Sequence, residues 1–361
     1  MADAPIVIAP NAFKGTLSPL AAAEAMASGA RRVSRRPLIL RPLPDGGDGT
    51  LDVVLAVRKG TRVSAVVTGA CGDAVMASYG LFATPRGPLA VIESAEVLGL
   101  WRGAPCPLAA RTSFGLGELM RHALDHGARS LSVALGGTAT CDAGVGCLTA
   151  LAARFPGHPD PRGGDLADLR AVDVQGLDRR LSATRIVGLA DVMNPLLGPG
   201  GALRFALQKG ARAEDLAGLA AGLAHAADVL ETGFGAAVRM RPGSGAAGGL
   251  GFALALLGAR LTSGARTIAR LIGLPAAIAR ASLVVTGEGA CDDQTLAGKG
   301  PGVVAEIARR HSCPAIAVCG RIEPSFGASI AGFVDCVPVV PGLSPAEGVA
   351  QATAAALAAF R

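Results

Sequence analysis

The sequence predicts an α/β protein: a Rossmann-like, doubly wound parallel sheet domain built from both chain ends, with a second, different α/β domain inserted. Three observations predict it. Residues 1–60 alternate short apolar runs with helical segments, and residues 280–361 repeat that grammar. The runs are continuously apolar, as strands are when helices cover both faces of a parallel sheet. Between them the pattern changes, because from Thr61 to about Ala110 short β-like pieces follow one another without long helices. The expected division is therefore 1–60 with 280–361 as one discontinuous domain and 61–279 as the insert, with an active site in a cleft that closes on binding.

Taken in order, PIVIAP is the first strand, and Ser18-Pro19 opens the first helix, serine as N-cap and proline at the first helical position. PLILRPLP is a second strand and TLDVVLAV a second helix. TRVSAVVTGA, GLFAT and LAVIES are the short β pieces of the insert, after which helices and glycine loops take over. Pro156–Gly164, polar and proline-rich, reads as a surface loop. The closing segment runs LVVTGE, VVAEIARRH, PAIAVCG and FVDCVPVV, then a last helix opened by Ser344-Pro345.

Composition narrows the function. The chain of 361 residues is half apolar, with 50 glycines and 3% aromatics, which suits tightly packed α/β layers and excludes disorder. The mean hydropathy of +0.44 comes from alanine, and no apolar run approaches the roughly 20 residues that span a bilayer. With no basic segment ahead of a long apolar stretch at the N-terminus, a cytoplasmic protein is expected. The eight cysteines form no CxxC pair and read as reduced core thiols, which disfavours a structural zinc site. A net charge of +6 with one Trp and one Tyr fits a small anionic ligand, with neither nucleic acid nor membrane as partner.

Chemistry-bearing residues fall where open parallel sheets bind ligands, beyond the carboxyl ends of strands. Asn11 and Lys14 follow the first strand, Asp45-Gly46-Gly47-Asp48 the second, and Glu288 and Asp292 the strand LVV. In the insert, Asp142 and Asp191 each follow a strand. Carboxylates with a lysine suit a divalent cation plus a phosphate group, although Asp and Gly after strands are also ordinary turn residues. The run PGSGAAGGLG (242–251) is either a phosphate cradle or a close helix–helix contact. Neither GxxxxGK[ST] nor an early GxGxxG is present. His122 and His126 share a helix face at zinc-ligand spacing, but without HExxH they read as a solvated C-terminal turn. Cys141 and Cys291 lie in polar glycine loops and are the candidate reactive thiols, with no histidine near in sequence.

Eight ordered blocks, IAPNAFKGTLSP (8–19), PDGGDGT (44–50), TSFGLGEL (112–119), LGGTATCDAGVG (135–146), DVMNPLLGPGGA (191–202), QKGA (208–211), PGSGAAGGLG (242–251) and TGEGACDDQTLAGKGP (286–301), resemble the type 1 glycerate kinase family nearly end to end. The resemblance implies ATP-dependent phosphorylation of D-glycerate, with 2-phosphoglycerate the usual product, by a monomer or homodimer. Lys14, Asp45, Asp142, Asp191, Asn194, Lys209, Glu288, Asp292, Gln294 and Lys299 match its pattern. The family usually has Asp at Asn11, Glu at Asp48, Asn at Cys141, Arg-Ile at Ala290-Cys291 and FGP where this chain has FAL before Gln208. An impaired relative that binds a nucleotide or metabolite, or a kinase for a related hydroxy acid, is the alternative.

On that resemblance Glu288 and Asp292 are expected to hold Mg²⁺ with ATP, close Gly287 and Gly289 turns letting the backbone approach phosphate. Asp191 is the expected base for the attacking hydroxyl and Lys14 the cation on the transferring phosphate, with Asp45 beside them. Asn11, Gly46, Gly47, Gly136, Gly137, Thr138, Asn194, Lys209, Gly248, Gly249, Gln294 and Lys299 are the expected substrate and nucleotide contacts.

Overall fold

The computed structural model describes residues 4–103, 105–292, 295, 299–323 and 332–360. Among these, the strands are β1 (Ile6–Ile8), β2 (Leu38–Leu40), β3 (Thr61–Thr68), β4 (Ala74–Phe82), β5 (Leu89–Glu93), β6 (Ser130–Ala134), β7 (Arg185–Ala190), β8 (Arg260–Ser263), β9 (Leu283–Cys291), β10 (Ala315–Ile322) and β11 (Asp335–Pro338). The helices are α1 (Pro19–Val33), α2 (Thr50–Val57), α3 (Ala95–Leu98), α4 (Phe114–Asp125), α5 (Val145–Ala150), α6 (Leu216–Phe234), α7 (Leu250–Leu256), α8 (Gly264–Leu271), α9 (Leu274–Ile278), α10 (Gly300–Arg310) and α11 (Pro345–Ala359).

The chain forms two compact units. The terminal unit comprises Met1–Asp45, Asp52–Arg58 and Ser263–Arg361, and the inserted unit Gly46–Leu51 and Lys59–Thr262. The chain returns to the terminal unit at Ser263 rather than near residue 280, because α8 is tied to it: Arg266 of α8 pairs with Glu306 of α10.

In the terminal unit five strands lie in the order β11-β10-β9-β1-β2, and every pairing is parallel. Ile6 stands opposite Leu38 on one side and Leu283 on the other. Strand order therefore reverses between β1 and β9, the switch point at which such sheets open a crevice. Ser18 caps α1, its Oγ accepting from the Ala21 amide, and Ser344 does the same for α11. Alanine lets α1 and α11 pack closely; a Cβ at Gly29 would stand 2.0 Å from the Ala350 carbonyl oxygen. Arg32 adds a two-pronged bond to Glu347 across that pair.

The inserted unit has six strands in sequence order, β3-β4-β5-β6-β7-β8. The first two pairings are antiparallel, and β5-β6-β7 run parallel. One apolar cluster includes Tyr79, Ile92, Leu116, Leu119, Met120, Val133 and Leu254, and a second gathers Leu148, Phe155, Leu166, Leu223, Leu230 and Phe252.

The cysteine reading is overturned. Cys71 is bonded to Cys106 and Cys291 to Cys319, pairs that sequence spacing of 35 and 28 residues does not announce. Cys141, Cys147, Cys313 and Cys336 are free. No helix of the described residues is long and apolar enough to cross a membrane.

Candidate active site

At the switch point three chain segments leave the sheet side by side. Arg41 donates to the Ile8 carbonyl and Leu43 to that of Pro10, so the segment after β2 runs on beside the one after β1. On the other side Ala9 donates to Val285 and Asn11 to Gly287. This brings Asp45, Asn11 and Glu288 together. Asn11 Nδ2 donates to Asp45 Oδ2 at 3.1 Å, and its Oδ1 accepts from the Ala12 amide at 2.7 Å. All three side chains are buried.

Glu288 stands on a strand, since β9 continues to Cys291, and not in the loop expected after LVV. Its Oε1 accepts from Thr295 Oγ1 at 2.6 Å. Burial pushes its carboxyl up to about 7, with the charges of Asp45 and Asp292 adding to the shift and the Thr295 bond and Lys299 opposing it. Asp292 closes a turn: its Oδ1 accepts from the Thr295 amide and its own amide donates to Thr295 Oγ1. Gly287 has a packing reason, because a Cβ there would stand 2.0 Å from the Val318 carbonyl oxygen of β10. Gly289 lies against the backbone of Lys14, 3.3 Å from its amide nitrogen by the same measure. Lys14 is exposed, on a tight turn that the Leu17 amide closes on the Phe13 carbonyl. Lys299 precedes α10; Gln294 lies outside the described residues.

Among the described residues no three His, Cys, Asp or Glu side chains form a complete metal cage. Mg²⁺ needs less from protein, one or two carboxylates with water and phosphate oxygens completing its octahedron. Two buried carboxylates, one of them driven toward protonation, fit that demand, and Asp292 is already partly spent on its turn.

In the inserted unit the expected glycines pack against one another. Gly136 donates to the Gly46 carbonyl at 3.0 Å, and a Cβ on Gly136 would lie 2.5 Å from Gly47 Cα. Gly137 has φ +72° and faces Asp48. The loop Gly46–Leu51 is also clasped by a residue absent from the sequence reading. Glu93, the last of β5, accepts from the Gly49 amide with Oε1 and from Leu51 with Oε2, both at 3.0 Å. Burial pushes its carboxyl up to about 7, against the pull of those two amides. An acid at the end of the apolar run LAVI was its only signal.

After β6, Thr138, Thr140 and Asp142 are buried. Asp142 accepts from the Ser113 amide and hydroxyl, both at 2.7 Å, and from the Gly144 and Gly146 amides. It is a scaffold residue. Lys209 Nζ donates to the Thr140 carbonyl at 2.8 Å and lies 3.5 Å from Thr138 Oγ1. Burial pulls its ammonium down to about 8, and the positive charge of Arg111 acts in the same direction. Arg111, also missed, donates to the carbonyls of Cys106, Ala139 and Lys209. Asp191 is the first residue beyond β7 and half-buried. Three residues on, the Asn194 carbonyl accepts from Gly243 and Gly245, while both polar atoms of its side chain are buried without a partner.

The run 242–251 is held by close contacts with neighbouring loops. Ala247 and Gly248 have φ +56° and +68°, and a Cβ on Gly248 would stand 2.1 Å from the Thr140 carbonyl oxygen, one on Gly249 2.5 Å from Ala143 Cα. Its glycines serve loop–loop packing, and the helix beyond has seven residues. Cys141 is buried, its thiol pushed up to about 11 by burial, and Cys291 is bonded to Cys319, so neither is a reactive thiol. His122 stacks on His126 and shares its Nδ1 with Tyr79 OH at 3.2 Å.

A doubly wound sheet with buried acids at its switch point, and an insert holding a buried lysine against the loop that follows a parallel strand, define an α/β enzyme built to handle anions. The glycerate kinase family model matches residues 6–360, and the chain belongs to that family. Glycerate kinase of Bacillus subtilis is 38% identical over 358 residues, 95% of this chain and 92% of that one. Glycerate 2-kinase of Escherichia coli is 38% identical over 343 residues, 92% and 89% of the two chains. A solved structure from Salmonella typhimurium LT2, described as a candidate glycerate kinase 2, superposes with a TM-score of 0.83 at 37% identity, covering 99% of this chain and 98% of that one.

Proposed function

We propose that the protein is an ATP-dependent kinase that phosphorylates D-glycerate at its 2-hydroxyl, giving 2-phosphoglycerate, and that it works in the cytoplasm. The observation that supports this most is the buried trio Asn11, Asp45 and Glu288 at the switch point of a chain that belongs to the glycerate kinase family. When bound there, Mg²⁺ supplies charge neutralisation for the nucleotide phosphates. Glu288 and Asp45 are its proposed ligands, and Asp292 holds the turn that positions Thr295 against Glu288.

Lys14, exposed on its turn, is free to move onto the transferring phosphate and stabilise its charge. Asp191 accepts the proton of the attacking hydroxyl, and Pro195 shortly after it stiffens the segment that presents it. Glu93 and Gly136 fix the Gly46–Leu51 loop, which orders the chain next to Asp45.

A second reading, an impaired relative, draws on one observation. Asn11, where the resemblance implies an acid, spends its amide on Asp45. A coupled assay of ADP release with D-glycerate decides between the two. Phosphorus-31 NMR of the product then separates 2- from 3-phosphoglycerate, and absence of turnover sinks the kinase reading.

A further inference from the structure

The kinase reading leaves open which groups recognise the acid. Lys209 is almost fully buried, and its partners are the Thr140 carbonyl and, at the limit of hydrogen bonding, the Thr138 hydroxyl. An ammonium has three N–H donors, so one remains to be used. Among the described residues no carboxylate pairs with it: the nearest acid in sequence space to its partners, Asp142, already takes four donors from Ser113, Gly144 and Gly146. Asp142 attracts the ammonium from a distance but makes no ion pair with it, and a buried cation without a directly paired counter-charge is costly. The second observation is independent of charge. Thr140, whose carbonyl holds Lys209, is wholly buried and its Oγ1 has no hydrogen-bond partner.

An unspent ammonium donor and an orphaned hydroxyl held by one loop are the minimum of an anion site. The backbone says which anion. Phosphate cradles are lined by amide N–H groups, whereas here the backbone around Lys209 presents carbonyl oxygens, those of Ala139, Thr140 and Lys209 itself. Those carbonyls are turned to Arg111 and to the lysine itself, so no backbone amide is shown to share an anion's charge, and one ammonium balances one negative charge, that of a carboxylate. Resting on the kinase reading above, we propose that Lys209 and the Thr140 hydroxyl form the subsite for the substrate's carboxylate, with Arg111 bracing the lysine backbone from behind.

The pKa of Lys209 adds a signature. The titratable groups facing it are Arg111, which lowers it, and Asp142 and Cys141, which raise it, with burial dominant. The ammonium is therefore partly lost above about pH 8, and carboxylate affinity goes with it.

The test is steady-state kinetics of wild type, Lys209→Met and Thr140→Val, with D-glycerate and with its uncharged amide as alternative phosphoryl acceptors. Loss of a charge-assisted hydrogen bond predicts a KM for D-glycerate raised about 10–100-fold in Lys209→Met. The KM for ATP should stay within about threefold of wild type, a margin below that penalty. For the amide, wild type should already bind poorly and the substitution should add little. Wild-type KM for D-glycerate should climb above about pH 8, and this climb should vanish in Lys209→Met. Thr140→Val, which keeps shape, should raise the D-glycerate KM several-fold on its own. A rise in the ATP KM instead, or an equal loss toward acid and amide, overturns the subsite. Inactivity of the wild type on D-glycerate overturns the kinase reading itself, so the two failures are told apart.

Discussion

The strand ends of the terminal unit and the loop cluster of the inserted unit solve opposite electrostatic problems. In the first, buried acids stand together and Glu288 is driven up to about 7; in the second, a buried amine is driven down to about 8. Both shifts have burial as their main cause, and each marks a charge the fold does not neutralise by itself. The acid side wants a cation, the amine side an anion. Burial also pushes up the structural acids Asp142 and Glu93, but these are held by several donors each, four for Asp142 and two backbone amides for Glu93. Incomplete compensation, more than burial, is what separates ligand-facing ions from structural ones.

Removing the proposed base breaks the comparison most severely. Asp191→Asn keeps the shape of the segment after β7 and removes the proton acceptor, so turnover should fall by about 10²–10⁴-fold while the D-glycerate KM moves far less. Near-normal turnover would make Asp191 a turn residue and move the search for the base to Asp45 or Asp292.

Each unit also carries one disulfide, and these should act on stability without regard to the charge asymmetry. Closing loops of 35 and 28 residues stabilises by about 4 kcal/mol apiece on the chain-entropy model. Reductant should therefore lower the melting temperature by about 5–10 °C. Calorimetry with and without dithiothreitol, repeated on Cys71→Ser and Cys291→Ser, assigns the loss to each bond; a reductant-insensitive melting profile would show that these bonds do not contribute.

These bonds also show where the sequence stopped being legible. The parallel sheet from both chain ends was readable because continuous apolar runs and Ser-Pro helix starts are local signals. The same holds for Asn11 and Asp45, which follow strands, and for Glu288, which the apolar run LVV pointed to although it lies on β9 itself. Disulfide pairing depends on which distant loops meet, and isolated cysteines carry no local trace of it. Glu93 and Arg111 were missed for the same reason, since each acts on backbone groups 42 to 98 residues away. For the glycines of 242–251 the sequence left two readings open, since a glycine required by a neighbouring loop looks, in sequence, like one required by a phosphate.

The opposed pKa shifts give opposite pH dependences. Glu288 titrates near 7 when folded and near 4.5 otherwise, so its contribution to stability is fully present below about pH 4.5 and is lost as pH rises through 7. Lys209 titrates near 8 instead of 10.5, so its contribution is present above 10.5 and lost as pH falls through 8. Without ligands, both groups destabilise the fold near pH 7.5, each by roughly 3 kcal/mol, since a tenfold change in proton affinity on folding is worth about 1.4 kcal/mol. Glu288→Gln mimics the protonated form and still accepts from Thr295. It should therefore melt higher than wild type at pH 8, converge with it near pH 4.5, and bind Mg²⁺ about 10–100-fold more weakly. Lower stability than wild type at pH 8 would show that Glu288 is already paired within the fold.

The smallest effect tests how far the acid side of the comparison can be pushed. Asn11 now relieves Asp45 by donating to its Oδ2; Asn11→Asp replaces that donor with a second carboxylate at 3.1 Å spacing. The metal-free variant should lose the hydrogen bond, worth about 1–2 kcal/mol, and set two carboxylates against each other. Mg²⁺ should reverse the loss, because the substitution adds the charge a divalent cation seeks, and the stabilisation per added Mg²⁺ should exceed that of wild type. Thermal melts at pH 8 across a magnesium titration measure both effects. If the variant's deficit persists at saturating Mg²⁺, Asn11 and Asp45 are a structural pair, and the cation belongs beside Glu288 without them.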